Sequence, residues 1–177
     1  MIRCSLAALC LAGTAQAEGA SFAEPPMILL DHGVICEIEL DGHREAPGTE
    51  SGRLNIVDQD QALDLTTAAV PAQIGLSFGI RATLEDGVDP GDVEVVVTHP
   101  PMGPRNITEE RWDAEMTPGD IALNLFTFEY DYELVQGPWS FQLRRDDRTL
   151  LRQDFVVGPR DSVPVVQDTC FTALIMS

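Results

Sequence analysis

From Ala72 to Glu85 apolar and polar or glycine residues alternate without a break. Ala72, Ile74, Leu76, Phe78, Ile80, Ala82 and Leu84 fall on one parity, and Gln73, Gly75, Ser77, Gly79, Arg81, Thr83 and Glu85 on the other. Successive side chains of a strand point to opposite faces, so a period of two commits the segment to a β-strand with one buried face. The glycines within it mark a bulge or a close approach of backbones.

The same signal recurs along the chain. Ile28 to Leu40 sets Leu30, Val34, Cys36, Ile38 and Leu40 against Asp31, Gly33, Glu37 and Glu39 as a half-buried strand. Asp41 to Asp60 reads as an exposed loop with a short strand at Arg53 to Val57. Val93 to Thr98 is β-branched and is halted by His99-Pro100-Pro101. Met102 to Gly119 has no period and is broken by prolines, which predicts an irregular crossover. Ile121 to Leu134 resumes alternation. After Gly137-Pro138, Trp139, Phe141 and Leu143 lead to a polar hairpin tip at Arg145 to Arg148, and Leu151, Phe155 and Val157 carry the return.

Strands separated by Gly and Pro turns, with no helix longer than about two turns, predict an all-β chain. The expected architecture is an immunoglobulin-like antiparallel β-sandwich of six to eight strands, with a small barrel as the alternative. Large inward residues on several strands favour the sandwich, because they fill the space between two sheets. The expected core is Leu76, Phe78, Ile80, Val95, Phe126, Phe128, Tyr130, Trp139, Phe141 and Phe155.

Residues 1–17 read as a signal peptide: a positive start at Arg3, an apolar run from Cys4 to Gly13, and the small-x-small pattern Ala15-Gln16-Ala17. The run is too short for a membrane span, which needs about 20 apolar residues, so no membrane insertion is expected after the signal is removed. Residues 18–177 then form a single domain, periplasmic or secreted. Cys4 and Cys10 leave with the signal, and Cys36 and Cys170 remain in an oxidising compartment, where a disulfide is expected to tether the C-terminal tail. The chain-entropy model assigns such a long loop about 4 to 5 kcal/mol before strain is subtracted.

Acidic residues outnumber basic ones 29 to 11, for a formal charge of −18, and every basic residue is Arg. A surface of that sign repels phosphate backbones, so nucleic acid is excluded as a partner and basic partners are favoured.

The segments Val70-Pro71-Ala72-Gln73-Ile74-Gly75-Leu76-Ser77-Phe78-Gly79, Thr98-His99-Pro100-Pro101 and Tyr130-Asp131-Tyr132-Glu133-Leu134-Val135-Gln136-Gly137-Pro138-Trp139 resemble those of a bacterial exported family known as domain of unknown function 3859. The resemblance runs from about Ile28 to Val157. It implies an exported β-sandwich and supplies no catalytic residues.

Candidate chemistry is sparse. His32, His43 and His99 lack any metal-ligand spacing, so no metal site is expected, and His32 reads as a buried, hydrogen-bonded side chain. Asp58, Asp60 and Asp64, or Asp86, Asp89 and Asp92, offer oxygen ligands for calcium, yet neither run fits an EF-hand and turn formation is their commoner role. Glu129, Asp131 and Glu133 form an acidic row about 7 Å apart on one strand face, a spacing that a carboxylate-based hydrolase can use. In a tight hairpin Glu129 would instead face Arg144 as a cross-strand ion pair. Asn106-Ile107-Thr108 spells a glycosylation sequon, incidental in a bacterial chain. No cofactor motif and no nucleophile motif are found. The expected function is a non-catalytic binding or structural module of the bacterial envelope, with a protein or other envelope component as partner. A carboxylate hydrolase and a calcium-dependent module are the alternatives.

Overall fold

The computed structural model describes residues 20–171. Its strands are β1 (Phe22–Ala23), β2 (Met27–Ile35), β3 (Leu40–Glu45), β4 (Arg53–Val57), β5 (Leu65–Thr66), β6 (Ala69–Pro71), β7 (Ser77–Leu84), β8 (Val93–Met102), β9 (Ile107–Ala114), β10 (Ala122–Thr127), β11 (Gly137–Arg145) and β12 (Arg148–Gly158). A 3-10 turn at Asp131–Glu133 and a short helix α1 (Pro164–Cys170) complete the described chain. The signal-peptide residues lie outside it. No helix among the described residues is long and apolar enough to cross a membrane.

One sheet runs β1-β12-β11-β8-β9, with β6 added in parallel to β12, and the other runs β10-β7-β2-β5. The long strands β2 and β7 through β12 build a sandwich, within the six to eight strands expected. The hairpin β3–β4 belongs to neither sheet. On one flank β1 and β6 line the edge strand β12. On the other flank the edges are β9 and β10, and there the β3–β4 arm lies.

The alternation of β7 is realised: Phe78, Ile80, Ala82 and Leu84 are buried, and Phe78 is the hub of the core. Its ring lies 5.4 Å from Phe128 and Trp139, 5.6 Å from Phe141 and 5.3 Å from Phe155, across both sheets. The contacts to Trp139, Phe141 and Phe155 are edge-on, a geometry that adds to the area term. Gly79 is a close approach, since a Cβ there would lie 2.0 Å from the Asn124 carbonyl oxygen on β10.

Several expectations are corrected. Alternation through Leu30 fails because β2 carries a bulge between Leu29 and Asp31; Leu29, His32 and Val34 then oppose the inward Ala82, Ile80 and Phe78, while Leu30 is 47% exposed. His32 is half-buried, with its ring edge-on to Phe155 at 6.0 Å. The strand stops at Ile35, and Leu40 opens the arm instead. Ile74 sits exposed in a turn before β7, closed by the Leu76 amide donating to the Gln73 carbonyl. His99-Pro100-Pro101 does not end β8, because its register to β9 skips from Thr98 to Met102 and the prolines occupy the irregular stretch where no ladder donor is needed. The expected crossover is strand β9, joined to β8 by a turn at Gly103 to Asn106.

The strand expected to run to Leu134 ends at Thr127, and the chain crosses from the four-stranded sheet to β11 in the other. No hairpin joins β10 to β11, so the Glu129–Arg144 pairing does not form and Tyr130 is 37% exposed rather than in the core. Cys36 and Cys170 are bonded, with Cα atoms 4.9 Å apart, tying the end of α1 to the sandwich rim just after β2.

Candidate functional site

The open flank holds a cleft of about 650 Å3 between the arm and the sheet edges β9 and β10, a size in the range of ligand sites. Its inner wall follows from strand parity. On β9 the inward positions carry Glu110 and Trp112, and on β10 they carry Ala122, Asn124 and Phe126. Polar Glu110 and Asn124 thus stand where a closed sandwich would place apolar residues.

The arm is fixed at both sides. Arg44 on β3 donates to the Asp113 carbonyl at 2.8 Å, and on β4 Arg53 donates to the Tyr130 hydroxyl at 2.9 Å and Asn55 to Glu129 Oε1 at 2.8 Å. Beyond β4, Gln59 Oε1 accepts the Leu123 amide of β10 at 2.8 Å. The turn between β3 and β4 docks on the edge of β9, where the Arg111 amide donates to the Gly48 carbonyl. A Cβ at Gly48 would lie 2.5 Å from the Arg111 carbonyl oxygen, so only glycine permits this contact.

Two buried carboxyl groups face this region. Glu110 is 5% exposed and accepts the Glu50 amide at 2.7 Å on Oε1. Burial pushes its pKa up to about 7, helped by the charges of Glu133 and Glu50 and opposed by that hydrogen bond and by Arg105. Glu133, in the 3-10 turn, folds back so that Oε2 accepts the amides of Glu129 at 2.6 Å and Tyr130 at 2.9 Å. Burial raises its pKa too, and the two amides limit the rise. Beside it Tyr132 stacks on Tyr130 at 5.2 Å, and burial with the neighbouring Glu133 pushes the Tyr132 phenol up to about 12.

The acidic row expected at Glu129, Asp131 and Glu133 is therefore not a row, since only Glu129 and Glu133 line the cleft, Glu133 on the 3-10 turn and Glu129 in the irregular stretch before it. Among the histidines, His43 is exposed on the arm. His99 is buried in the other end of the sheet, its Nδ1 2.8 Å from the Pro100 carbonyl oxygen and its ring 4.8 Å from Trp139. Burial lowers its pKa. No group of three or more metal-ligating side chains occurs among the described residues. The aspartates act in turns and caps: Asp58 accepts the Asp60 amide, Asp64 the Cys36 amide and Asp89 the Gly91 amide. Glu110 escaped sequence reasoning because the prolines around it hid β9. The usable signal was Glu110 sharing parity with Trp112.

A family model described as a domain of unknown function, DUF3859, matches residues 25–157, which takes in the whole stretch from Ile28 to Val157 that resembles this family. The structure is similar to that of an immunoglobulin-like protein from Pseudomonas aeruginosa, with 20% sequence identity, a TM-score of 0.53, and coverage of 80% of this chain and 99% of that one. No curated protein is detectably similar to the chain. Over most of its length, then, the chain belongs to the DUF3859 family and carries it on an immunoglobulin-like β-sandwich.

Proposed function

We propose that the chain is an exported, non-catalytic binding module of the bacterial envelope, periplasmic or secreted, whose contact site is the cleft beneath the β3–β4 arm. The observation that carries this is the cleft itself: a concave flank left open between two sheet edges, roofed by an arm tied down by side-chain hydrogen bonds and by Leu54 packed on the core, with polar Glu110 and Asn124 at inward positions of its wall. The Cys36–Cys170 bond and the signal-like residues 1–17 support an exported setting.

Two matched surface changes test it. Ile56 lines the cleft from the arm and is 43% exposed, while Val156 is 63% exposed on the opposite flank. Ile56→Arg should reduce capture of envelope components by the tagged protein, and Val156→Arg should leave it unchanged, with both folds intact by circular dichroism. Equal capture by the two variants would remove the cleft as the site.

A carboxylate hydrolase is the second reading, favoured by the raised pKa of Glu110 beside Glu133. It requires turnover in a glycoside and peptide screen that Glu110→Gln abolishes.

A further inference from the structure

The free edge of β10 narrows what the cleft receives. Phe128 continues β10, donating its amide to the Leu76 carbonyl and accepting the Gly75 amide, so even-numbered residues bond toward β7. Leu123 donates its amide the other way, to Gln59. By this alternation the backbone groups of Leu123, Leu125 and Thr127 point away from β7 into the cleft, and among the described residues only the Leu123 amide has a partner there. An unpaired edge of this kind is a template for another strand.

The cleft is also selective in charge. It is lined by seven carboxylates, among them Glu110, Asp113, Glu129 and Glu133, and by two guanidiniums, Arg44 and Arg53. None of the seven forms an ion pair among the described residues, and both arginines already hold protein oxygens. Asn124, 8% exposed, lines the same space from the interior face of β10 and adds a polar group beside Glu110. Trp112, 7% exposed, lines it from β9 and offers an aromatic face to a cation.

We propose that the cleft binds an extended basic peptide, which adds as a strand to the free edge of β10 and directs a Lys or Arg side chain toward Glu110, Asn124 and Trp112. This deepens the binding-module reading and rests on the cleft being the contact site. A protein segment fits better than a small cation because a row of unpaired backbone groups needs a backbone to satisfy it. A second copy of this chain fits poorly, because the formal charge of −18 opposes self-association at an acidic edge.

The test uses the disulfide-intact protein and a synthetic heptapeptide alternating Val and Lys. Its comparison peptides are the same sequence with N-methylated amides at alternate residues, made in both parities, and the same sequence with Glu for Lys. Titration calorimetry should give saturable binding of the lysine peptide and none of the glutamate peptide. One N-methylated parity should bind at least tenfold more weakly although its charge is unchanged. Amide exchange at Leu125 and Thr127 should slow on binding, and Glu110→Gln should weaken binding tenfold or more. Leu125→Pro, which deletes one free edge donor, should do the same if it folds; the N-methylated peptides decide the matter if it does not. Binding indifferent to both N-methyl parities, protection elsewhere, self-association in place of peptide binding, or no binding overturns the proposal. If it fails while Ile56→Arg still reduces capture, the cleft remains the contact site and only the peptide class falls.

Discussion

Replacing Glu110 by Gln should stabilise the protein at neutral and higher pH. Gln keeps an oxygen to accept the Glu50 amide but cannot ionise. Burial raises the Glu110 pKa from 4.5 to about 7, so between those values the folded state holds a proton that the unfolded state has released. Stability therefore falls as pH climbs through that window, and the cost is complete above it. A shift of this size corresponds to about 3 kcal/mol as a ceiling, reduced wherever water reaches the carboxylate. Glu133 is present in both proteins, and its own titration largely cancels in the difference. Urea denaturation at half-unit steps from about pH 4.5 to 8.5 should show wild type and variant diverging across the window set by these pKa values. The gap should reach at most about 3 kcal/mol, or roughly 6 to 12 °C in melting temperature. A pH-independent difference, or a variant less stable than wild type at the alkaline end, would refute the burial and desolvation reasoning for Glu110.

Other outcomes follow from the packing. Phe128→Ala should cost about 3 to 5 kcal/mol, because the ring is fully buried against Phe78 and Trp139, whereas Thr127→Ala, which loses a hydroxyl contact to Ser77, should cost about 1 kcal/mol in the same urea series. Protein purified without reductant should show no alkylatable thiol at Cys36 or Cys170, and the double Ala variant should lose up to about 5 kcal/mol for a loop spanning 134 residues. Arg53→Ala, which frees the arm from the Tyr130 hydroxyl, should accelerate amide exchange in β3 and β4 while moving the global melting temperature by less than about 2 °C.

The sandwich was legible because β7, β11 and β12 announce themselves by alternation: a residue such as Phe78 or Phe141 has one face to choose, and the pattern states which. The disulfide was legible in the two cysteines left once the signal-like residues are set aside. The site was not legible, for three physical reasons. Prolines at 100, 101 and 104 argue locally against strand, yet β8 tolerates two of them in an irregular stretch and β9 begins after the third. The bulge at Leu30 shifts parity by one, which no count of apolar residues reveals. The arm is set by long-range contacts, Arg44 to Asp113 and Arg53 to Tyr130, between residues 69 and 77 positions apart. Glu133 shows the same limit, since its place on an alternating run suggested a solvated face, while the 3-10 turn buries it under two backbone amides.

The most direct test of the cleft as the contact surface is position-resolved photo-crosslinking in the source cell. A photoreactive side chain placed at Leu125, on the β10 edge, or at Ile56, on the arm, should give the same partner adduct, competed by excess unlabelled protein. The same side chain at Val156, on the far flank, should not. An adduct formed equally from Val156, or from Val156 alone, would contradict a contact site beneath the arm.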